Sequence, residues 1–140
     1  MKTACALGVL MLSLYLNGIA VQAEDHRENV ATAAAETWLG HVDAGEYAAS
    51  WREASAYLQG AITEKAWVES LNGVRTPLGK SLSRQLTKAQ HTQSVPGAPD
   101  GDYVVMQFAT RFEHKQAAVE TVTFMQEKDG TWKASGYYIR

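Results

Sequence analysis

The chain has 140 residues, of which 46% are hydrophobic and 20% charged, and its formal net charge is −2 at pH 7. This length suits one compact domain, and the scattered Lys and Arg residues do not form the basic footprint of a nucleic-acid binder. We therefore expect a single domain whose partners are small molecules or proteins, and no nucleic acid.

The N-terminal segment predicts export. Lys2 precedes an apolar stretch from Ala4 to Leu16, and Val21-Gln22-Ala23 places small residues where signal peptidase cleaves. We predict a signal peptide over residues 1–23 and a periplasmic or secreted domain over residues 24–140. The alternative is a retained anchor, but the apolar stretch is shorter than the roughly 20 residues that cross a bilayer. No stable membrane insertion is expected after cleavage.

The single cysteine, Cys5, lies inside the predicted signal peptide. A lipoprotein cysteine would follow the apolar stretch, whereas Cys5 precedes most of it. Cleavage would therefore leave a cysteine-free mature chain, which excludes disulfides, zinc–thiolate sites and a cysteine nucleophile. Because Lys2 is removed as well, the formal charge would change from −2 to −3.

The first half of the chain predicts helices. Apolar residues recur every four residues from Arg27 to Val42, and Asp43-Ala44-Gly45 then breaks the pattern. A second helix carries the stripe Tyr47, Trp51, Ala54 and Leu58. Thr63 is the predicted N-cap of a third short helix, which Asn72-Gly73 would end. Arg75 to Gly79 then has the Pro and Gly content of a loop.

The second half predicts an antiparallel meander of about four strands. The alternating runs are Ser83–Gln93, Tyr103–Phe112, Val119–Glu127 and Thr131–Ile139. Pro96 to Gly101 is a clear turn, and Asp129-Gly130 is a two-residue hairpin signal. A loop at His114-Lys115-Gln116 would join the second and third runs.

These turns fix a predicted register. A turn at Asp129-Gly130 pairs the third run with the fourth: Phe124 with Ser135, Val122 with Tyr137 and Glu120 with Ile139. A loop at residues 114–116 pairs the second run with the third: Thr110 with Glu120, Phe108 with Val122 and Met106 with Phe124. The face predicted to receive the helices is Val104, Met106, Phe108, Thr110, Glu120, Val122, Phe124, Ser135, Tyr137 and Ile139.

The opposite face of the sheet is more apolar than solvent exposure requires. Its apolar members are Tyr103, Val105, Met125, Trp132 and Tyr138. Such a patch predicts a homodimer interface or a surface for an envelope protein. The alternative is cover by the chain itself, through the connection of the first strand or through Pro96 to Gly101.

The order of helices, corner and antiparallel sheet resembles the nuclear-transport-factor-2-like fold, an α+β cone in which helices pack on the concave face of a curved sheet. The chain also resembles a bacterial family known only as domain of unknown function 4019. The residues that carry this resemblance are Trp38-Leu39, Asp43 to Tyr47, Ser50-Trp51, Trp67, Arg75 to Gly79, Arg84, Pro96-Gly97, Pro99 to Gly101, Glu120 to Val122 and Gly136-Tyr137. The resemblance implies an exported protein and a fold, but no mechanism.

Glu120 is the leading candidate site residue, because the register puts its carboxylate on an apolar face beside Thr110 and Tyr137. Burying it requires a partner. One interpretation is a ligand pocket in which Glu120 accepts a proton or anchors a ligand, Arg75 or Arg84 supplies the counter-charge, and Trp51 contributes aromatic surface. The other is a structural ion pair between Glu120 and one of those arginines.

The remaining aromatic and titratable residues suggest structural roles. Trp38, Tyr47, Trp51 and Trp67 recur at helical spacing and are predicted in the core. His41 and Asp43 are two positions apart and do not form an acid–base pair, so Asp43 is assigned to stabilising the corner. The other histidines, His26, His91 and His114, are predicted to be solvated, and we predict no metal site and no cofactor.

The sequence thus favours an exported, noncatalytic domain that binds a small ligand or an envelope protein. The alternative is an isomerase or dehydratase in which Glu120 is the general base and Tyr137 donates a hydrogen bond to the developing oxyanion. An interior filled by large side chains would leave only the interaction surface.

Overall fold

Helices precede strands in the computed structural model, which describes residues 12–140; the first part of the predicted signal peptide, with Lys2 and Cys5, lies outside these residues. The helices are α1 (Leu12–Asp43), α2 (Tyr47–Arg52), α3 (Ala56–Ala61) and α4 (Glu64–Leu78). The strands are β1 (Ser81–Thr92), β2 (Tyr103–Phe112), β3 (Lys115–Gln126) and β4 (Trp132–Ile139). Among the described residues, no helix is long and apolar enough to span a membrane.

Helix α1 contains the predicted helix over residues 27–42 and extends it at both ends. From residue 26 onward, its buried side chains are Ala31, Ala35, Trp38, Leu39 and Val42, whereas Val30 is 42% exposed. The buried stripe is therefore centred one position later than predicted. Small alanine side chains on this stripe let the helix approach the sheet closely.

The predicted second helix is in fact two short helices. Gly45, with φ of 76°, ends α1 as predicted, but Ser55 interrupts the next helix and caps α3 by accepting a hydrogen bond from the Leu58 N–H at 3.1 Å. The Ser55 N–H donates to the Ala134 carbonyl of β4 at 2.9 Å. The interruption between α2 and α3 thus provides a backbone hydrogen bond that links the helices to β4, an edge strand of the sheet.

Helix α4 begins as predicted and ends later. The Thr63 hydroxyl accepts from the Ala66 N–H, but the helix passes through Asn72-Gly73 and stops at Gly79. Leu71 and Arg75 are both buried and lie on one face of α4, on either side of Gly73 in the sequence. A Cβ added at Gly73 would have no neighbour within 4 Å. Because tertiary contacts outweigh the local stop signal, the predicted loop from Arg75 to Gly79 is wrong and Arg75 is a buried helical residue.

The strands form one antiparallel sheet in the order β1-β2-β3-β4, which confirms the meander. The pairs Glu120 with Ile139 and Val122 with Tyr137 are confirmed, but a bulge pairs Phe124 with Ala134 instead of Ser135. The turn between β3 and β4 has three residues rather than two, since the Gly130 N–H donates to the Glu127 carbonyl at 2.9 Å and Gly130 has φ of 86°.

The bulge in β4 changes which side chains enter the core. Trp132 is 8% exposed and belongs with Ala134 to the buried cluster under the helices. The prediction that Trp132 lies on the opposite face is therefore wrong, because the extra residue in β4 reverses the alternation before it. Ser135, predicted inward, instead donates its hydroxyl hydrogen bond to the Thr123 carbonyl at 3.2 Å.

The β2–β3 register differs from the prediction by two residues. The turn between β2 and β3 is Glu113-His114. As a result, Met106 pairs with Val122, Phe108 with Glu120, and Thr110 with Ala118. Side chains alternate with a period of two, and a two-residue error leaves each of them on its predicted face. The inner face is therefore confirmed for the β2 and β3 residues, which are buried: Val104, Met106, Phe108, Thr110, Glu120, Val122 and Phe124.

The strand positions that alternate with this inner face form the outer face of the sheet. By register, β1 contributes Ser83, Gln85, Lys88, Gln90 and Thr92, and β2 contributes Tyr103, Val105, Gln107, Ala109 and Arg111. The β3 members are Ala117, Val119, Thr121, Thr123 and Met125, and the β4 members are Lys133, Gly136 and Tyr138, followed by Arg140.

Aromatic side chains fill the space between the helices and the inner face. The Trp38 ring lies 6.2 Å from Trp67, 6.0 Å from Phe124 and 5.6 Å from Tyr137, measured between centroids. Ser50 of α2 satisfies both buried indoles, since its carbonyl accepts from Trp38 and its hydroxyl from Trp67. Trp38 and Trp67 are buried and Tyr47 and Trp51 partly buried against this cluster, as the core prediction requires.

Gly79 offers a direct test of the end of α4. Its φ of 73° and ψ of −159° fall in a region essentially restricted to glycine, and an added Cβ would lie 2.9 Å from the Glu113 Cβ. We expect Gly79→Ala to lower the free energy of unfolding in urea by about 1–3 kcal/mol. Gly73→Ala, in the same helix with open space around it, should raise it by up to about 1 kcal/mol. Equal effects of the two substitutions would contradict the observed helix end.

Candidate functional site

A polar cluster lies where α1, α4 and the four strands meet. Each of these elements contributes one side chain to what we call the buried network: Asp43, Arg75, Arg84, Thr110, Glu120 and Tyr137. Its charges balance, because two guanidinium groups face two carboxylates. The network therefore connects every layer of the fold without leaving a net charge inside it.

Glu120 is at the centre of the network and is 0% exposed. Its carboxylate accepts hydrogen bonds from Arg84 Nε at 2.7 Å and Arg84 Nη2 at 3.3 Å, and from the hydroxyls of Thr110 and Tyr137. Four donors occupy the acceptor sites that an ionised carboxylate offers. The predicted structural ion pair between Glu120 and an arginine is confirmed, and Arg84 is the arginine.

Arg84 also binds the second carboxylate of the network. Its Nη1 lies 2.7 Å from Asp43 Oδ2 and its Nη2 lies 2.9 Å from Asp43 Oδ1. Burial lowers the pKa of the Arg84 guanidinium, but the hydrogen bonds and charges of Asp43 and Glu120 outweigh burial and raise the pKa above its ordinary value. Arg84 thus remains a cation that bridges α1 to β3.

Arg75 closes the network from α4. Its Nη2 lies 2.9 Å from Asp43 Oδ1, its Nη1 lies 3.5 Å from the Tyr137 hydroxyl, and its guanidinium carbon lies 4.9 Å from the centroid of the Phe112 ring. Burial raises the pKa of the Asp43 carboxyl, yet Arg84 and then Arg75 outweigh burial and hold that pKa below its usual range. Arg75 Nε is buried and has no hydrogen-bond partner among the described residues.

Tyr137 is a hydrogen-bond donor in the buried network. Burial raises the pKa of the Tyr137 phenol, and the neighbouring negative charge of Glu120 raises it further. The hydroxyl therefore stays protonated at neutral pH, with its hydrogen directed at Glu120. Every ionised group of the network has its partner inside the network, which leaves no free general base, acid or nucleophile within it.

The network contains most of the residues that the sequence proposed for a ligand site. Arg75, Arg84, Thr110, Glu120 and Tyr137 come together, although Arg75 lies in α4 rather than in the predicted loop. Trp51 does not join them, because its indole N–H donates to the Ile62 carbonyl at 2.9 Å beside α3.

Asp43 is the network member that the sequence does not predict as a site residue. The sequence predicts that Asp43 stabilises the corner after α1, whereas in the structure its carboxylate binds two arginines. A signal was present in the sequence: Ala35, Leu39 and Asp43 follow one another at four-residue spacing on the buried stripe of α1. An acidic residue at the end of a buried stripe indicates a cationic partner.

An open cleft borders the network on the Asp43 side. It has a volume of about 280 Å³ and is lined by Asp43, Arg75, Gly79, Lys80 and Glu113, among others. Acidic and basic groups alternate around it, and the Glu113 carboxylate already accepts from the Lys80 N–H at 2.8 Å. The cleft does not reach the Glu120 carboxylate, which has no exposed surface.

The histidines show two arrangements that the sequence did not predict. His41 Nδ1 lies 2.7 Å from Glu46 Oε2, and its Nε2 lies 3.0 Å from Glu53 Oε2. His91 is not solvated as predicted: its side chain is 9% exposed and its Nε2 lies 2.7 Å from Asp102 Oδ1. Within the part of the chain that the structure describes, no group of His, Cys, Asp and Glu residues could hold a metal ion.

The predicted interface on the outer face is only partly open. Tyr103 is 0% exposed because the turn at Pro96 to Gly101 covers it, and its hydroxyl donates to the Pro99 carbonyl. Val105 and Met125 are half-buried, and Tyr138 is 55% exposed. With Trp132 on the inner face, Val105, Met125 and Tyr138 are the members of the predicted patch that remain at the surface.

The coupling between Arg84 and Glu120 can be measured with a double-mutant cycle. Arg84→Met leaves the Glu120 carboxylate buried beside an apolar side chain and should lower the free energy of unfolding by about 3–5 kcal/mol. Glu120→Gln should cost about 1–3 kcal/mol, and the double variant should cost clearly less than the sum.

The exposed pair Lys65 and Glu69 of α4, 3.8 Å apart, is the matched control. The cycle of Lys65→Met and Glu69→Gln should give a coupling near zero. Additive effects at Arg84 and Glu120, within the error of the control cycle, would contradict the buried pair.

His41 predicts a pH-dependent contribution to stability. The hydrogen bond to Glu46 raises the pKa of His41 above 6.5; burial opposes this shift, and the charges of Glu53 and Glu46 support it. A group whose pKa is raised by folding stabilises the protein fully below its unfolded pKa and loses this contribution as pH rises through its folded pKa. His41→Gln should therefore lower the Tm at pH 5.5 and have little effect at pH 9.

The size of this effect should stay below about 1 kcal/mol because the pairs are exposed. His26→Gln is the control, since His26 lies exposed in α1. Thermal unfolding followed by circular dichroism at both pH values gives the measurement. A Tm difference for His41→Gln that grows toward pH 9 would refute the assignment.

A comparison with known protein families gives one match. The family described as "Protein of unknown function (DUF4019)" matches residues 34–137, which run from the middle of α1 to Tyr137 and include the whole buried network. No curated protein matches the chain. The chain therefore belongs to the family of proteins of unknown function DUF4019.

Proposed function

We propose that this protein is an exported, noncatalytic binding domain that recognises a partner protein through its surface. The observation that carries the proposal is the state of Glu120, whose carboxylate is fully buried and accepts from Arg84, Thr110 and Tyr137. Aromatic side chains fill the adjoining interior. A domain with this interior offers partners its surface, not an inner pocket.

The same geometry argues against Glu120 as a general base. A base must lie within hydrogen-bond reach of the proton that it removes, and a substrate would first have to displace Arg84 or Tyr137. Tyr137 already donates its only hydroxyl hydrogen to Glu120 and is not free to stabilise an oxyanion. The proposal therefore gives Glu120 and Tyr137 an architectural role, and the isomerase or dehydratase alternative gains no support.

Export enters the proposal through the signal peptide over residues 1–23. Residues 22–24 are exposed, and among the α1 side chains whose burial the structure describes, the buried ones start at Ala31. Cleavage before Glu24 would thus keep all of these buried side chains in the mature chain. We further propose that the fold is nuclear-transport-factor-2-like, on the basis of helices that precede and cover one face of a bulged antiparallel sheet.

The test uses the full chain expressed with its own N-terminus in a bacterial host, with the protein recovered from the periplasm and the medium. Its intact mass should correspond to a chain that begins at Glu24. A mass that retains Met1, or recovery from the cytoplasm alone, would contradict export with cleavage.

The recovered protein is then screened by thermal shift against small carboxylates, phosphates and sugars, in parallel with Glu120→Gln. We expect no compound to raise the Tm of the unsubstituted protein by more than about 1 °C beyond its effect on the variant, because no ligand reaches Glu120. A compound that stabilises the unsubstituted protein selectively, and binds with Glu120 in its site, would overturn the proposal in favour of a pocket.

A further inference from the structure

The outer face of the sheet has a one-sided charge distribution. Its charged members within the strands, Lys88, Arg111 and Lys133, and Arg140 just after β4 are all cations. Glu127, just after β3, continues this face by alternation, and its carboxylate accepts from the Ala56 N–H at 3.2 Å. The chain as a whole has a formal net charge of −2, so this segregation is not a consequence of composition. No ion pair within the described residues neutralises these cations.

A cleft lies on this face at the end nearest Arg111. It has a volume of about 740 Å³. The outward-facing residues that line it include Ser83, Gln85, Ala109, Arg111, Ala117 and Val119, and Arg84 and Thr110 of the buried network also contribute to its lining. The alanine and valine side chains leave the floor low and apolar, whereas Arg111, Gln85 and the neighbouring Gln116 supply hydrogen-bond donors around it. Such a cleft suits a narrow ligand that combines apolar contact with negative charge.

We propose that the outer face binds an acidic, extended segment of a partner protein, which lies across the strands in this cleft. The inference rests on the proposed function and names the chemistry of its partner. Arg111 binds one carboxylate at the cleft, Arg140 binds a second, and the floor accepts small side chains between them. Arginine favours this role because its planar guanidinium binds carboxylates in a bidentate manner.

The spacing of the two arginines fits an extended chain. Arg140 pairs with Val119, and Val119 pairs with Ala109, two residues before Arg111. With strands about 4.8 Å apart and a rise of about 3.3 Å per residue, the Cα atoms of Arg111 and Arg140 are roughly 12 Å apart. Residues i and i+4 of an extended peptide are about 13 Å apart and point to the same side. Two acidic residues at this spacing would reach both arginines.

Other occupants fit the surface less well. A planar membrane contacts protruding groups and would not enter a recessed cleft. A symmetric second copy, placed face to face, would bring the cations of the two outer faces together, and like charges across an interface are unfavourable. A duplex nucleic acid requires a larger basic footprint than Arg111, Arg140 and Lys88 provide.

The probe is a peptide, Gly-Glu-Thr-Ala-Thr-Glu-Gly, that is acetylated at its N-terminus and labelled with rhodamine at its C-terminus. It places glutamates at i and i+4 with Thr-Ala-Thr between them. Binding to the mature protein is followed by fluorescence anisotropy. We expect the Kd to rise at least tenfold for the double variant Arg111→Glu and Arg140→Glu, and at least fivefold when both glutamates of the peptide are replaced by glutamine. Affinity should fall as the salt concentration rises.

Lys128→Glu is the matched control for charge, because Lys128 is exposed in the β3–β4 turn at the opposite end of the sheet. It should change the Kd less than twofold. If the charge reversals reduce the Tm, Arg111→Gln with Arg140→Gln replaces them and should still weaken binding severalfold.

Equal binding to the arginine variants would overturn this inference and leave a binding function elsewhere on the surface. Absence of peptide binding also overturns it, whereas the proposed function has its separate test in the thermal-shift screen. Binding to phosphatidylglycerol vesicles without peptide binding would assign the face to a membrane. A mass that doubles with concentration in light scattering, and is restored to the monomer by Arg111→Glu, would assign it to a homodimer.

Discussion

One cation holds this fold together at its centre. Arg84 of β1 binds Glu120 of β3 and Asp43 of α1 through the same guanidinium, at distances between 2.7 and 3.3 Å. Removing the Glu120 carboxylate from water is costly, and only a partner with several fixed donors offsets that cost. Arg75 of α4 binds Asp43, and Tyr137 of β4 binds Glu120, so α4 and β4 are held by the same two carboxylates that bind Arg84. The position of each element relative to the others is therefore coupled to a small set of charge-assisted hydrogen bonds.

This arrangement explains why the most site-like residues of the chain do not form an open site. A buried carboxylate, a tyrosine and two arginines are the groups that an enzyme would assemble, yet here they satisfy one another and expose no Glu120 surface. Cations without an ion-pair partner lie instead on the outer face, where Arg111 lines a cleft and Arg140 pairs with Val119 at its border. The proposed function thus places stability and recognition on opposite faces of one sheet. Such a division leaves the outer face free to vary without disturbing the core.

The sequence allowed much of this to be predicted, and the errors have physical causes. The period of two in β2 and β3 assigned Glu120 and Thr110 to the inner face even though the register was wrong by two residues. In β4 one bulge was enough to move Trp132 from the outer face to the core, and no local signal marks that bulge. At Gly73 the local stop signal lost to the buried contacts of Leu71 and Arg75, which only the tertiary structure supplies. Asp43 was misassigned because its partners are far away in the chain, although its place on the α1 stripe was visible.

The most direct test is a crystal structure of the cleaved protein at neutral pH and a resolution that shows ordered water. We predict that the Arg84 guanidinium contacts both Asp43 and Glu120, with Tyr137 bonded directly to Glu120 and no water between them. Such a structure would establish that the interior is closed and that binding must use the surface. A solvent-filled cavity that exposes the Glu120 carboxylate, with Arg84 turned away from it, would contradict this account.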